Sequence, residues 1–184
     1  DPYRMMTSRS EYRLLLRQDN ADERLTPIGF RLGLVGQERM ERLNRKLEQT
    51  EQELRRLETV SVSPSDELNR MLVSRETSEL ENGTRLADLL RRPQVGYSDL
   101  KPFDPDRPEL PREVVEQVEI RLKYDGYIKR QLRQVEQMRK LEKKLLPGLE
   151  FDYKVIQGLR LEAIEELNKI HPANIGQASR ISRV

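Results

Sequence analysis

The sequence predicts an all-α protein in which two long helices pack together and several short helices lie at both ends. Apolar residues recur every three to four positions along almost the whole chain, which is the period of a helix with one buried face. Alternating β-branched or aromatic residues, typical of strands, never continue for more than four positions. One stretch also carries a heptad repeat, which predicts a long helix with a narrow apolar seam.

The first elements are predicted from capping signals. Ser8, followed three residues later by Glu11, forms a capping box and predicts a helix of about three turns over residues 7–17. A short turn is expected over 21–24. Thr26-Pro27 then predicts a third helix, with a threonine cap before a proline in the first turn.

The first long helix is predicted over residues 37–58, and the β-branched, proline-containing stretch 60–65 ends it. Ser65 and Thr84 are predicted to cap two shorter helices. The proline-rich stretch 93–111 is expected to connect over a surface. The heptad seam consists of Met40, Leu43, Leu47, Thr50, Leu54 and Leu57.

The second long helix is predicted from Pro111 to about Leu146, with Gly126 at the one wide step in its apolar rhythm. A glycine there costs about 1 kcal/mol relative to alanine, so we expect a kink or a close backbone approach. Three short helices follow, and His171-Pro172 and Asn174 mark the end of the second and the cap of the third. These helices are predicted over 152–156, 160–168 and 175–182, and two subdomains over 1–110 and 111–184.

Composition excludes several classes of protein. The chain has no cysteine and one histidine, which excludes a disulfide scaffold, a thiol nucleophile and a Cys/His zinc site. No nucleotide-binding glycine loop and no catalytic pair of carboxylates can be recognised, so no catalytic or metal site is predicted. No apolar run is long enough to span a membrane, and we expect a soluble, cytoplasmic protein that forms part of a longer chain.

Arginines are concentrated in the opening segment. Arg9, Arg13 and Arg17 are four residues apart, so a helix would place them on one face, and Arg4 precedes them. Such a face repels itself unless an anion binds, and the guanidinium fork matches phosphate oxygens. Neutralisation by nearby acids is an equally good interpretation of these residues alone.

A basic strip occupies the second long helix. Residues 120–147 contain nine basic and three acidic side chains, a net charge of +6, interleaved with Tyr124 and Tyr127. Such a strip suits phosphate contacts with stacked bases. The residues alone favour a solvated helix flank with aromatic core residues instead. The candidate phosphate contacts in the strip are Lys123, Lys129, Arg130 and Arg133.

Several segments resemble the bacterial GidA (MnmG) family of tRNA wobble-uridine modification enzymes, in order along the chain. The opening segment matches the stretch that follows the flavin domain of the family. Two departures are Arg160 in place of a serine cap and Arg183 in place of a turn glycine. The matching segments are Asp1–Asp22, Leu89–Pro93, Gln117–Ile120, Lys123–Ile128, Leu146–Pro147, Phe151–Tyr153 and Ile175–Ser182.

The resemblance implies the C-terminal, tRNA- and partner-binding region of an enzyme that builds the carboxymethylaminomethyl group. That family uses FAD, NADH and a methylenetetrahydrofolate-derived carbon, works with the GTPase MnmE, and is expected to form a homodimer. Its flavin and nicotinamide machinery lies upstream, so this chain alone is expected to be non-catalytic and free of cofactor.

Functional residues implied by the resemblance fall into two groups. It favours tRNA binding by the opening arginines and the basic strip. The positions implied for tRNA binding are Arg4, Arg9, Arg13, Arg17, Lys123, Lys129, Arg130, Arg133 and Arg180, and those implied for the partner or another function are Glu162, Tyr124, Tyr127, Gly176 and Gln177.

Two rival functions are a helical coiled-coil module without enzymatic context and a free-standing tRNA-binding protein. In the first rival, the heptad seam would pair with another chain. A matching seam within residues 114–145 would instead cover it inside this chain.

Overall fold

The computed structural model describes residues 12–181 and is mostly helical, which confirms the all-α prediction. The contacts group the chain into two compact units, Asp1–Ile128 and Lys129–Val184. The predicted division after residue 110 stays a prediction.

The first unit is built around helix α2 (Gln37–Thr59), which confirms the predicted long helix. Leu43, Thr50 and Leu57 of the seam are buried and its other three positions are half-buried, so the seam is largely covered within the chain. The other elements up to the start of the second long helix are α1 (Ala21–Arg31), strands β1 (Ser61–Val62) and β2 (Thr84–Arg85), α3 (Asp66–Ser74), α4 (Leu86–Leu90) and a 3-10 helix (Tyr97–Phe103).

The second long helix, α5 (Arg112–Glu142), contributes to the same core as α2 through its first turns. Val114, Val118 and Leu122 join Leu57 in one hydrophobic cluster, together with residues of α3 and α4. Apolar burial of this kind stabilises the helices far more than intrinsic propensity does.

The prediction of a surface connector over 93–111 was wrong in its first half. Val95, Tyr97 and Leu100 are buried in the core cluster. Prolines only restrict the backbone, and the chain between them still presents apolar side chains at the spacing of a 3-10 turn. The connector is therefore part of the core of the first unit.

Two predicted starts near the beginning of the chain were also wrong. The described part of the first predicted helix, residues 12–17, forms turns instead of a helix. The Asn20 side chain binds the backbone of this segment: its Nδ2 donates to Leu15 O at 3.0 Å, and its Oδ1 accepts from Arg17 N at 3.2 Å. These bonds compete with those of a helix. The Ser8–Glu11 capping box lies outside the described residues. Helix α1 begins at Ala21 and continues through Pro27, which costs one backbone hydrogen bond.

Further along, one cap was predicted correctly and one was not. The Ser65 hydroxyl accepts from the backbone N–H of Leu68 at 3.2 Å and caps α3, as predicted. Thr84 caps no helix, because it pairs with Val62 in the small antiparallel sheet. The β-branched stretch after α2 is thus a strand of that sheet.

The second unit contains the last turns of α5 and three short elements around a small core. Helix α5 ends at Glu142 instead of near Leu146, since Leu146 N donates to Ala173 O at 3.0 Å and holds the following residues extended. The core consists of Tyr153, Ile164 and Leu167. The short elements are a 3-10 helix (Tyr153–Val155), α6 (Leu161–Ile170) and α7 (Ile175–Ala178).

Helix ends in the second unit follow the predicted signals. His171 ends α6 with a left-handed backbone, at φ 47°. Asn174 caps α7, and its Oδ1 accepts from Gln177 N at 2.8 Å. Because α7 ends at Ala178, it is shorter than the predicted helix over 175–182.

Candidate nucleic-acid interface

The opening arginines differ in their surroundings. Arg17 Nε forms an ion pair with Asp19 Oδ1 at 2.9 Å, and Gln117 Nε2 donates to Asp19 Oδ2 at 3.1 Å. Burial raises the pKa of Asp19, but the hydrogen bonds from Arg17 and Gln117 outweigh it and lower the pKa below its usual value. Arg17 thus joins the opening turns to α5, whereas Arg13 is exposed. Arg4 and Arg9 lie outside the described residues.

Basic side chains in the first part of α5 are occupied within the first unit. Arg121 Nη2 pairs with Glu23 Oε2 at 3.1 Å, and Lys123 Nζ donates to the carbonyl of Pro93 at 3.3 Å. These contacts hold α5 against α1 and the connector. In this part of the strip, Arg121 is neutralised by a carboxylate and Lys123 is held by a backbone carbonyl.

An exposed pair of tyrosines lies on the same part of α5. Tyr124 is 45% exposed and Tyr127 61% exposed, with ring centroids 6.5 Å apart. Gly126 between them has no heavy atom of the described residues near its Cβ position, so the expected close backbone approach is not found. Two exposed rings three residues apart offer faces on which nucleotide bases can stack.

Basic side chains in the second part of α5 are arranged differently. Positions 130, 133 and 140 are exposed, while 131, 135 and 138 on the opposite face are half-buried. Lys129 is exposed on the same side and has a contact within the chain. Exposed Glu136 lies on the same face of the helix. Among the described residues, no ion pair involves the six remaining basic side chains, which we call the basic face: Arg130, Arg133, Arg139 and Lys140 on α5, and Lys143 and Lys144 just after its end.

The C-terminal candidate residues have mainly structural contacts. Arg180 Nη2 pairs with Glu142 Oε1 at 2.5 Å, and Gln177 Oε1 accepts from Ala173 N at 2.7 Å. Glu162 is exposed in the first turn of α6, where a carboxylate favours the positive end of the helix dipole. The structure thus gives Gln177 and Arg180 roles in holding α7, and leaves Glu162 accessible.

Gly176 allows α7 to approach the end of α5. A Cβ at Gly176 would lie 2.6 Å from Glu142 Cγ and 3.1 Å from Glu142 N. The backbone nitrogen cannot move without disturbing the last turn of α5, so overpacking should cost about 1 to 3 kcal/mol. Close packing therefore explains this glycine.

We expect Gly176→Ala to lower the free energy of unfolding by that amount in urea denaturation followed by circular dichroism. Gly148→Ala is the matched control, because a Cβ at Gly148 has no heavy atom within 4 Å. Equal stability of the two variants would show that α7 does not pack on α5 in this way.

A buried charged cluster in the first unit was not predicted from the sequence. Arg56 binds Glu53 through Nε and Nη2, both at 2.8 Å, and binds Asp104 through Nη1 at 2.9 Å and Nη2 at 2.5 Å. Tyr97 donates its hydroxyl to Glu53 at 2.8 Å, and Arg107 stacks 3.7 Å above the Tyr97 ring. The signal in the sequence is weak, because Glu53 occupies a charged position beside the seam.

This cluster shifts the pKa values of two of its members. The hydrogen bonds from Arg56 to Glu53 and then to Asp104 raise the pKa of the guanidinium above its ordinary value. Burial and the hydrogen bond to Glu53 raise the pKa of Tyr97 to about 12. Each charge in the cluster has a partner, which favours a structural role.

Neither a metal-binding cluster nor a membrane-spanning helix is found among the described residues. No group of three His, Asp or Glu side chains is placed there to hold a metal ion. No helix within residues 12–181 is both long and apolar enough to cross a membrane.

Comparison with known proteins identifies the family. Residues 37–132 match the "tRNA modifying enzyme MnmG/GidA C-terminal helical domain", and residues 134–184 match the corresponding "C-terminal helical bundle". The "tRNA uridine 5-carboxymethylaminomethyl modification enzyme MnmG" of Caldicellulosiruptor saccharolyticus is 53% identical over 184 residues, which make up 100% of this chain and 29% of that relative. The enzyme of the same name from Clostridium novyi is also 53% identical, with the same coverage.

A solved structure agrees with these matches. GidA from Aquifex aeolicus, in its form II crystal, has a TM-score of 0.66 and 35% identity, and the match covers 100% of this chain and 28% of that one. The chain thus spans less than a third of the length of these relatives. Together with the helical fold, these matches confirm the resemblance: the chain belongs to the MnmG/GidA family of tRNA modifying enzymes, in which it corresponds to the C-terminal helical domain and helical bundle.

Proposed function

We propose that this chain is the tRNA- and partner-binding C-terminal region of an enzyme that installs the carboxymethylaminomethyl group on the tRNA wobble uridine. The observation that carries the proposal is the family match along the chain, combined with six basic side chains on the basic face that have no acidic partner among the described residues. Basic side chains that form no ion pair, on a helix and just after its end, suit a polyanion.

The basic face is suited to a phosphate backbone more than to base recognition. Lysine and arginine contacts to phosphates supply affinity and fix the register, whereas sequence is read at the base edges. Independently of the basic face, the first unit offers two exposed tyrosine rings, Tyr124 and Tyr127, and the exposed guanidinium of Arg13. We therefore propose that this chain binds the tRNA mainly through its phosphate backbone.

The proposed reaction requires FAD and NADH, and the described residues form no site that would hold either cofactor. The described residues contain no βαβ unit and no phosphate-binding glycine loop, and their one sheet has strands of two residues. FAD and NADH would therefore be held by the rest of the full-length enzyme, together with the methylenetetrahydrofolate-derived carbon. The hydride and carbon transfers belong to that part.

A protein partner is the second element of the proposal. Unit Lys129–Val184 exposes large apolar side chains, and Leu161 stands beside the accessible Glu162 at the start of α6. An exposed apolar side chain beside an accessible carboxylate suits a transient protein contact. We propose that exposed apolar side chains of this unit contact the GTPase MnmE, and that the full-length enzyme is a cytoplasmic homodimer. The exposed apolar residues include Leu145, Leu149, Val155, Leu161 and Ile170.

The coiled-coil alternative has less support. Leu43, Thr50 and Leu57 of the heptad seam are already buried by elements of the same chain. The other seam positions, Met40, Leu47 and Leu54, are half-buried, so no continuous exposed apolar stripe remains for a second helix.

Binding of an unmodified tRNA transcript to the chain should weaken steeply with salt. If the six charges of the basic face each contact a phosphate, affinity should fall by up to about a thousandfold between about 50 and 200 mM salt. Filter binding across a salt series measures this. An affinity that stays constant over the series would contradict the phosphate contacts.

A further inference from the structure

Helix α1 presents its polar and small residues to α2. Asp22 Oδ2 pairs with Lys46 Nζ of α2 at 2.8 Å, and Thr26, one turn later, is buried. Gly29 continues this face, and its Cβ position lies 2.8 Å from Val35 Cγ2. An ordinary surface helix would turn its apolar residues to this side.

The apolar residues of α1 lie on a different face, which is open. Leu25 and Ile28 of α1 and Leu32, the residue that ends the helix and still donates its N–H to Ile28 O, follow each other at three and four positions, so they form one stripe. They are 58%, 45% and 68% exposed, and we call them the α1 stripe. A helix that hides its polar face and exposes its apolar one marks a contact surface whose partner is missing.

We propose that the α1 stripe packs against the part of the full-length protein that precedes this chain. The inference rests on the proposed function, in which the chain is the C-terminal part of a longer enzyme. Helix α1 lies before residue 37, where the match to the helical domain begins, and the relatives are more than three times as long as this chain. The α1 stripe thus lies on the segment that leads back to that upstream part.

The size of the α1 stripe favours a covalently linked partner over a second copy. A stable complex between separate proteins buries about 1,600 Å² in total, far more than three side chains provide. A domain on the same chain is already held at a high effective concentration, so a small apolar contact is enough to dock it. The α1 stripe is therefore a docking surface for a domain of the same polypeptide chain.

Cysteine labelling tests this proposal, because the chain has no cysteine of its own. We would introduce Leu32→Cys, and separately Leu25→Cys, into the full-length protein and measure maleimide labelling of the corresponding peptide by mass spectrometry. Val73→Cys on α3 is the matched control, since Val73 is also exposed but lies outside the α1 stripe. Both stripe cysteines should react at least about tenfold more slowly than the control, and should match it in denaturant.

Three outcomes would overturn the proposal. Labelling as fast as at Val73 would show that nothing covers the stripe. Protection that disappears on dilution would assign the stripe to a second copy. Equal protection in the isolated chain, with its helicity checked by circular dichroism, would assign it to residues 1–11. Because the labelling involves no tRNA, a protected stripe in a protein that fails to bind tRNA would contradict the proposed function alone.

Discussion

Replacing Arg56 by leucine should lower the free energy of unfolding by about 3 to 5 kcal/mol, because it leaves two buried carboxylates without their partner. Glu53 and Asp104 are almost fully buried, and Arg56 binds both with two hydrogen bonds each. Removing one member of such a cluster costs far more than the net stability of the pair, since the remaining charges cannot be hydrated. Urea denaturation followed by circular dichroism measures the change.

Arg55→Leu provides a matched control one residue away on the same helix. The Arg55 side chain is 78% exposed and pairs with Glu51 at 3.2 Å, a contact worth about 0.5 kcal/mol at most. If the two variants lost equal stability, the buried cluster would not hold the connector on α2.

Replacing Arg13 by alanine in the full-length enzyme should strongly depress modification of the wobble uridine. Arg13 is exposed, whereas Arg17 is committed to Asp19, so Arg13 is the described opening arginine that can reach a phosphate. Losing one well-placed contact that forms with the reacting tRNA should lower kcat/KM by about ten- to a hundredfold, equivalent to about 1.4 to 2.8 kcal/mol.

The flavin content and the helicity of the Arg13→Ala variant should be measured together with its modification activity, and both should equal those of the wild-type enzyme. Arg17→Ala is the informative comparison, because it breaks the link from the opening turns to Asp19 and should reduce stability as well as activity. Loss of flavin or of helicity in the Arg13 variant would instead make Arg13 a structural residue.

Sequence periodicity predicted the helices better than it predicted the ends of the chain and the connector. The heptad from Met40 to Leu57 and the long rhythm after Pro111 specify α2 and α5, because one buried face must recur at the helical period. Pro27 was misleading, since packing of α1 on α2 outweighs the hydrogen bond that proline removes. Tyr97 could not be assigned to the core, because its burial depends on Glu53, which is 44 residues away along the chain.

Charge patterning located the candidate interface only in part. The net charge of residues 120–147 identified α5, but pairing decides which charges are available, and pairing depends on distant residues. Arg121 and Lys123 are occupied by Glu23 and the Pro93 carbonyl, whereas among the described residues Arg130 and Arg133 form no such contact. Local sequence carries no signal that separates these two groups.

The most direct test of the account is the salt dependence of tRNA binding by a triple variant of the basic face, Arg130→Gln, Arg133→Gln and Lys140→Gln. Glutamine keeps good helix propensity, so α5 should persist. The matched control removes the same charge from exposed positions of α2, with Arg39→Gln, Arg45→Gln and Arg55→Gln. The slope of log affinity against log salt should fall by up to about 3 in the basic-face variant and change little in the control. Equal slopes in the two variants and the wild-type chain would show that the basic face does not contact tRNA phosphates.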